Sequence, residues 1–227
     1  MSINENLKNL YQSKLNDLKT LVNNIGNEDT ADYEGPLLMY CWEDKYLSSK
    51  KKILFIGQET NGWNGFLRPT SAKIIDDIID IYKGFELGAR YNSVFWQYVN
   101  YINKKINDSA LNFMWTNVLK FGRSGIGRPD EQVQEEELLN FNILKDEIEI
   151  LNPDVVLFFS GPNYDQDIIN RIDGVEFNTC SNRDTRVFTR LKHKVLPSKT
   201  FRTYHPNYLR KSGNEDILDE IINLINE

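Results

Sequence analysis

Two short runs constrain this chain more than any other feature. Pro153-Asp154 leads into Val155-Val156-Leu157-Phe158-Phe159, and Lys51-Lys52 leads into Ile53-Leu54-Phe55-Ile56-Gly57. Neither run alternates apolar with polar residues, and each ends at strand breakers: Gly57 in one case, Ser160-Gly161-Pro162 in the other. A strand that is apolar on both faces must be covered on both faces, as in a parallel sheet between helices. Residues 111–119 and 200–204 read as further strands, and 186–195 as two basic β segments. Residues 1–25 read as one amphipathic helix, with Leu7, Leu10, Tyr11, Leu15, Leu18, Leu21 and Val22 near helical spacing. Helices are also expected over 36–47, where Pro36 suits a first turn, and over 72–85, 93–105, 130–150 and 214–225, with a short one ending at Arg171. Strands separated by helices predict an α/β protein of three αβα layers around a mostly parallel four-stranded sheet.

A length of 227 residues fits a single domain, 1–227, in which residues 1–50 form a helical N-terminal extension. Apolar content of 40% and aromatic content of 12% exclude a disordered chain. No run of 18 apolar residues occurs, and Met1-Ser2-Ile3-Asn4-Glu5-Asn6 lacks a basic-then-apolar leader, so a cytoplasmic location and no membrane partner are expected. The two cysteines, Cys41 and Cys180, stand 139 positions apart, which excludes a Cys-rich zinc or iron–sulfur framework. No metal and no cofactor are expected. A P-loop is excluded too: no Gly-x-x-x-x-Gly-Lys-Ser/Thr occurs, and the glycine-rich stretch 122–127 lacks the lysine.

The net charge is −6, from 27 basic and 33 acidic side chains. Within 186–211, however, Arg186, Arg190, Lys192, Lys194, Lys199, Arg202, Arg210 and Lys211 occur with no Asp or Glu, a local charge of +8. Facing one way, these groups can hold phosphates; dispersed, they only balance acidic helices elsewhere.

In parallel sheets, ligands sit beyond the C-terminal ends of the strands. That rule singles out residues 57–66, 117–128, 160–164 and 205–210. Gly57-Gln58-Glu59 follows a buried strand, and a carboxylate there can orient a water or offset a developing cation, or merely cap the next helix. Asn117 ends a strand with a planar amide that can pair with a nucleobase edge, or tie down a loop. His205-Pro206 follows the last strand; its imidazole can donate to a leaving anion, or be an ordinary packed histidine. His193, between two lysines, reads as a surface residue.

Together these segments resemble the uracil-DNA glycosylase superfamily. Phe55-Ile56-Gly57-Gln58-Glu59, Trp115-Thr116-Asn117-Val118-Leu119-Lys120 and Thr203-Tyr204-His205-Pro206-Asn207-Tyr208-Leu209 match its three motifs in order, and Leu151 to Gly161 is similar to its third strand. Thr-Asn-Val, then a hydrophobic residue and Lys, is closest to the iron–sulfur class. The resemblance spans Lys51 to Leu224, about three quarters of the chain. It implies hydrolysis of the N-glycosidic bond of uracil or a related damaged base in single- or double-stranded DNA, with the base flipped into a pocket. It makes Glu59 and His205 catalytic, and Gly57, Gln58, Phe66 and Asn117 base-binding. Trp63 and Tyr91 are further candidates for the ring that stacks on the base. Tyr208 and Leu209 would wedge into the gap the base leaves, and Arg210 and Lys211 would grip phosphates. The expected protein acts as a monomer. Glu59-Thr60-Asn61 departs from the Asp-Pro-Tyr of one branch, and no cysteine lies near the cluster positions of the other. The alternative is a member of the same fold that binds nucleic acid or a protein without catalysis.

Overall fold

Ile53–Gly57 and Val155–Phe158 are buried along their whole length, so the two apolar runs do become strands covered on both faces. The computed structural model describes residues 1–25, 33–63, 73–109, 111–125 and 127–227. In chain order the strands are β1 (Tyr33–Glu34), β2 (Ile53–Gly57), β3 (Met114–Asn117), β4 (Gly122–Arg123), β5 (Val155–Phe158), β6 (Glu176–Asn178), β7 (Phe188–Lys192) and β8 (Lys199–Thr203). The helices are α1 (Ile3–Ser13), α2 (Leu15–Ile25), α3 (Glu43–Leu47), α4 (Ile74–Phe85), α5 (Val94–Asn107), α6 (Glu131–Asn140), α7 (Leu144–Leu151), α8 (Asp165–Arg171), α9 (Pro206–Ser212) and α10 (Ile217–Asn226).

The central sheet has the order β3-β2-β5-β8-β7-β6. The first four strands run parallel, and β7 and β6 add an antiparallel hairpin at one edge. The protein is therefore α/β with a mostly parallel sheet of six strands, not four, flanked by helices. The expectation of two basic strands within 186–195 is corrected: β7 alone lies there, and its partner β6 lies upstream with its residues partly or fully exposed.

Entering the sheet at β2, the chain adds β3 on one side and returns to place β5 on the other. Strand order reverses at β2, and a cavity opens where β2 and β3 run out. There Gly57 pairs in register with Asn117.

Three helix expectations change. Residues 1–25 form two helices broken at Lys14; α1 buries Leu7 and Tyr11 and packs on α7, and α2 buries Leu18, Leu21 and Val22 against α6. Residues 130–150 also split: Phe141 leaves helical geometry at φ −138°, and the break lets both Phe141 and Ile143 face inward. Of 36–47, only Glu43–Leu47 is helical. The amides of Leu37, Met39 and Cys41 are bonded to the Lys120 carbonyl, the Tyr11 hydroxyl and the Asn4 side chain, which leaves no i→i−4 ladder to close. Among the described residues no helix is long and apolar enough to cross a membrane.

Candidate active site

Asn117, the last residue of β3, lies over Gly57. A Cβ on residue 57 would come within 2.4 Å of Asn117 Oδ1, so the glycine is required by close approach. The Asn117 side chain is 2% exposed, and its Nδ2 has no hydrogen-bond partner among the described residues. A buried amide donor left unmatched costs about 1–3 kcal/mol, so the group is poised for an acceptor from outside the protein.

Glu59 follows two residues after β2. Gln58 anchors that turn by donating from Nε2 to the Ser160 carbonyl at 2.7 Å, which ties the loop after β2 to the loop after β5. The Tyr164 hydroxyl donates to Glu59 Oε2. The Arg128 guanidinium lies 4.5 Å from the centre of the Tyr164 ring and pairs with Asp167 at 2.7 Å. Opposite, a Cβ on Gly127 would stand 2.7 Å from Glu59 Oε1, and Gly127 has φ +94°. Glycine thus supplies both the space and the backbone that the longer Glu side chain needs. Burial raises the Glu59 pKa, and this outweighs the lowering effects of Tyr164 and Arg128.

His205 caps α9, with Nδ1 accepting from the Asn207 amide at 3.2 Å. Its ring stacks on Phe95 with centroids 5.6 Å apart and planes 23° from parallel. Burial pushes its pKa down to about 4, so the imidazole is neutral near pH 7. With Nδ1 occupied as an acceptor, the ring proton sits on Nε2 as a donor.

Glu59, Asn117 and His205 all line one cavity of about 760 Å³ at the strand ends. Gly57, Gln58, Trp63, Tyr91, Phe95 and Trp115 also line it. Of the ring candidates, Trp63 and Tyr91 are therefore at the cavity, whereas Phe66 lies outside the described residues. Spacing gave no hint of Tyr164, Gly127, Arg128 or Phe95, although the first three fall in the segments 160–164 and 117–128 that strand topology had singled out. Trp115 could have been found from the two-residue period that puts it on the same face as Asn117.

The expected DNA-gripping surface changes more. Leu209 is wholly buried, so it is no wedge; α9 turns it inward and leaves Tyr208 50% exposed, packed on Tyr204 at 4.2 Å. Arg210 is engaged by Gln97 at 2.7 Å and by Glu215 at 3.6 Å, and Lys211 is exposed. The basic stretch is not one patch. Arg202 is 2% exposed and bonded to Asp165 and to the carbonyls of Thr185 and Arg186, and Lys199 bonds the Ile225 carbonyl. His193 is partly buried and accepts from the Val195 amide. Among the described residues no group of three or more His, Cys, Asp or Glu could hold a metal ion. No protein-family model matches the chain, and no curated protein is similar enough to match it.

Proposed function

We propose that the protein is a DNA glycosylase of the uracil-DNA glycosylase superfamily, acting on uracil or a related damaged base. The observation that carries this reading is the meeting of Glu59, Asn117 and His205, from three distant parts of the chain, around one cavity where parallel strands end. In this reading Asn117 holds the edge of a flipped base. His205, neutral and donating from Nε2, stabilises the charge that grows on the base oxygen as the N-glycosidic bond breaks; it gives a hydrogen bond and no proton. Ionised Glu59 orients the attacking water and offsets positive charge on the sugar. The test is a panel of single- and double-stranded oligonucleotides carrying uracil, hypoxanthine or xanthine. Free base is expected from at least one, with Asn117→Ala slower by tenfold or more, about the effect of one buried hydrogen bond in the site. Release from none of them would reject the reading.

The pH profile follows from Glu59, which must be ionised to act. Its raised pKa puts the acid limb of kcat/KM above the usual carboxylate range. Tyr164→Phe removes a bond that favours the ionised form, so the limb is expected to move to higher pH. His205, with its pKa near 4, adds no limb between about pH 5 and 8. Single-turnover rates across that range measure the limb. A limb that stays in place in Tyr164→Phe would show that the phenol does not govern Glu59.

A further inference from the structure

Trp115 precedes Asn117 by two positions on β3, so the two side chains leave the sheet on one face, and both line the cavity. A Cβ built on Gly57 would lie 2.4 Å from Asn117 Oδ1 and 3.5 Å from Trp115 Nε1, so the amide and the indole nitrogen meet over the same bare backbone. Trp115 is 7% exposed. Its Nε1, like Asn117 Nδ2, has no hydrogen-bond partner among the described residues. The indole has little freedom to find one. It stacks on Tyr82 at 6.1 Å and 16°, with the rings of Trp96 and Phe85 at 5.2 and 5.4 Å. The Tyr82 hydroxyl is itself occupied, donating to the Trp115 carbonyl at 2.7 Å. Two neighbouring buried donors without acceptors among the described residues, set over Gly57 in the lining of one cavity, define a requirement on whatever enters it.

We infer that Trp115 is a specificity-determining residue whose indole N–H donates to the same exocyclic oxygen of the base that Asn117 addresses through Nδ2. An oxo oxygen has two in-plane lone pairs and accepts both donors, whereas an amino group at that position accepts neither. The pair selects oxo bases such as uracil and hypoxanthine and rejects cytosine and adenine, because an amino base would leave two buried donors unmatched. This inference rests on the glycosylase reading, since it needs a base in the cavity.

The test is a four-corner binding cycle with free uracil and free pyrimidin-2-one, which lacks the 4-oxo group, on the wild type and Trp115→Phe. The wild type is expected to prefer uracil. In Trp115→Phe that preference should shrink by about 5–20-fold, the worth of one buried hydrogen bond, while pyrimidin-2-one affinity changes by less than about threefold. Equal losses for both ligands would mean that Trp115 only packs, which overturns the inference and leaves the glycosylase reading standing. No binding of either base by the wild type overturns the inference, while the oligonucleotide panel alone decides the glycosylase reading. A second measurement covers the case in which Trp115→Phe does not fold: because Trp63 Nε1 is also buried and unpartnered among the described residues at this cavity, the indole N–H resonance that persists in Trp63→Phe should move downfield with uracil and not with pyrimidin-2-one. A set of indole resonances that responds alike to the two ligands also overturns the inference.

Discussion

In the proposed glycosylase reaction, replacing His205 with alanine is expected to slow base release by about 10²–10³-fold, with substrate affinity changed far less, because the hydrogen bond it removes would strengthen only as charge reaches the departing base. Two features of His205 support that magnitude. Burial keeps the ring neutral, and the Asn207 amide holds Nδ1 so that Nε2 is the donor. The same bond also caps α9, so alanine carries a stability cost of about 1 kcal/mol that is unrelated to chemistry. His205→Asn separates the two roles. Asparagine is a good helix N-cap but brings no ring donor to the cavity. It should therefore melt close to the wild type and still release base slowly. Measured single-turnover rates equal to the wild type in both variants would reduce His205 to a helix cap.

Much of this site was legible because a parallel sheet sends every strand's C-terminal end to one side. The strand-end positions of Gly57, Asn117 and His205 put Glu59, Asn117 and His205 on one side of the sheet, and the resemblance of their three motifs to one family joins them in one site. The residues that shape Glu59 were not legible in that way. Tyr164 stands 105 positions from Glu59, and no periodicity links them. Gly127 acts through the absence of a side chain, and its loop shows that only in three dimensions. β7 falls within the basic segment 186–195, but β6 is not legible: a half-exposed antiparallel strand has no continuous apolar run, and β6 is short. Charge alone leaves Arg202 open between a phosphate-holding face and a dispersed set. β8 lies inside the sheet and is buried on both faces from Thr200 to Thr203, so Arg202 is enclosed, and Asp165 and two carbonyls receive the guanidinium. The short helix that begins at Pro206 has no clear signal in the sequence, and its periodicity puts Leu209 inside and Tyr208 outside.

The largest expected loss of stability comes from Lys120, three residues beyond Asn117. Lys120 is 1% exposed and Glu147 0%. The Lys120 ammonium donates to Glu147 and to Thr116, and Glu147 also accepts from the Tyr11 hydroxyl at 2.9 Å and the Thr116 hydroxyl at 3.3 Å. This buried group joins the end of β3 to α7 and α1. Lys120→Met leaves the Glu147 carboxylate buried without its cation, at an expected cost of about 3–5 kcal/mol, a large part of the roughly 5–15 kcal/mol that holds a domain folded. Adding Glu147→Leu removes the uncompensated charge and should restore most of the loss, since an apolar replacement of a whole buried pair is close to neutral. The sign with pH is also fixed. Burial already raises the Glu147 pKa against the opposing pull of Lys120, and without Lys120 it rises further. The folded variant then holds a proton that the unfolded chain releases, so its stability falls as pH climbs above the unfolded carboxylate value of about 4.3. Urea unfolding at about pH 5 and 7 should therefore show Lys120→Met losing more at the higher pH, and the double variant losing little at either. A single variant as stable as the wild type at both would mean that the pair contributes nothing. In that case the Tyr11 hydroxyl bond to Glu147 joins α1 to α7 without help from the Lys120 cation.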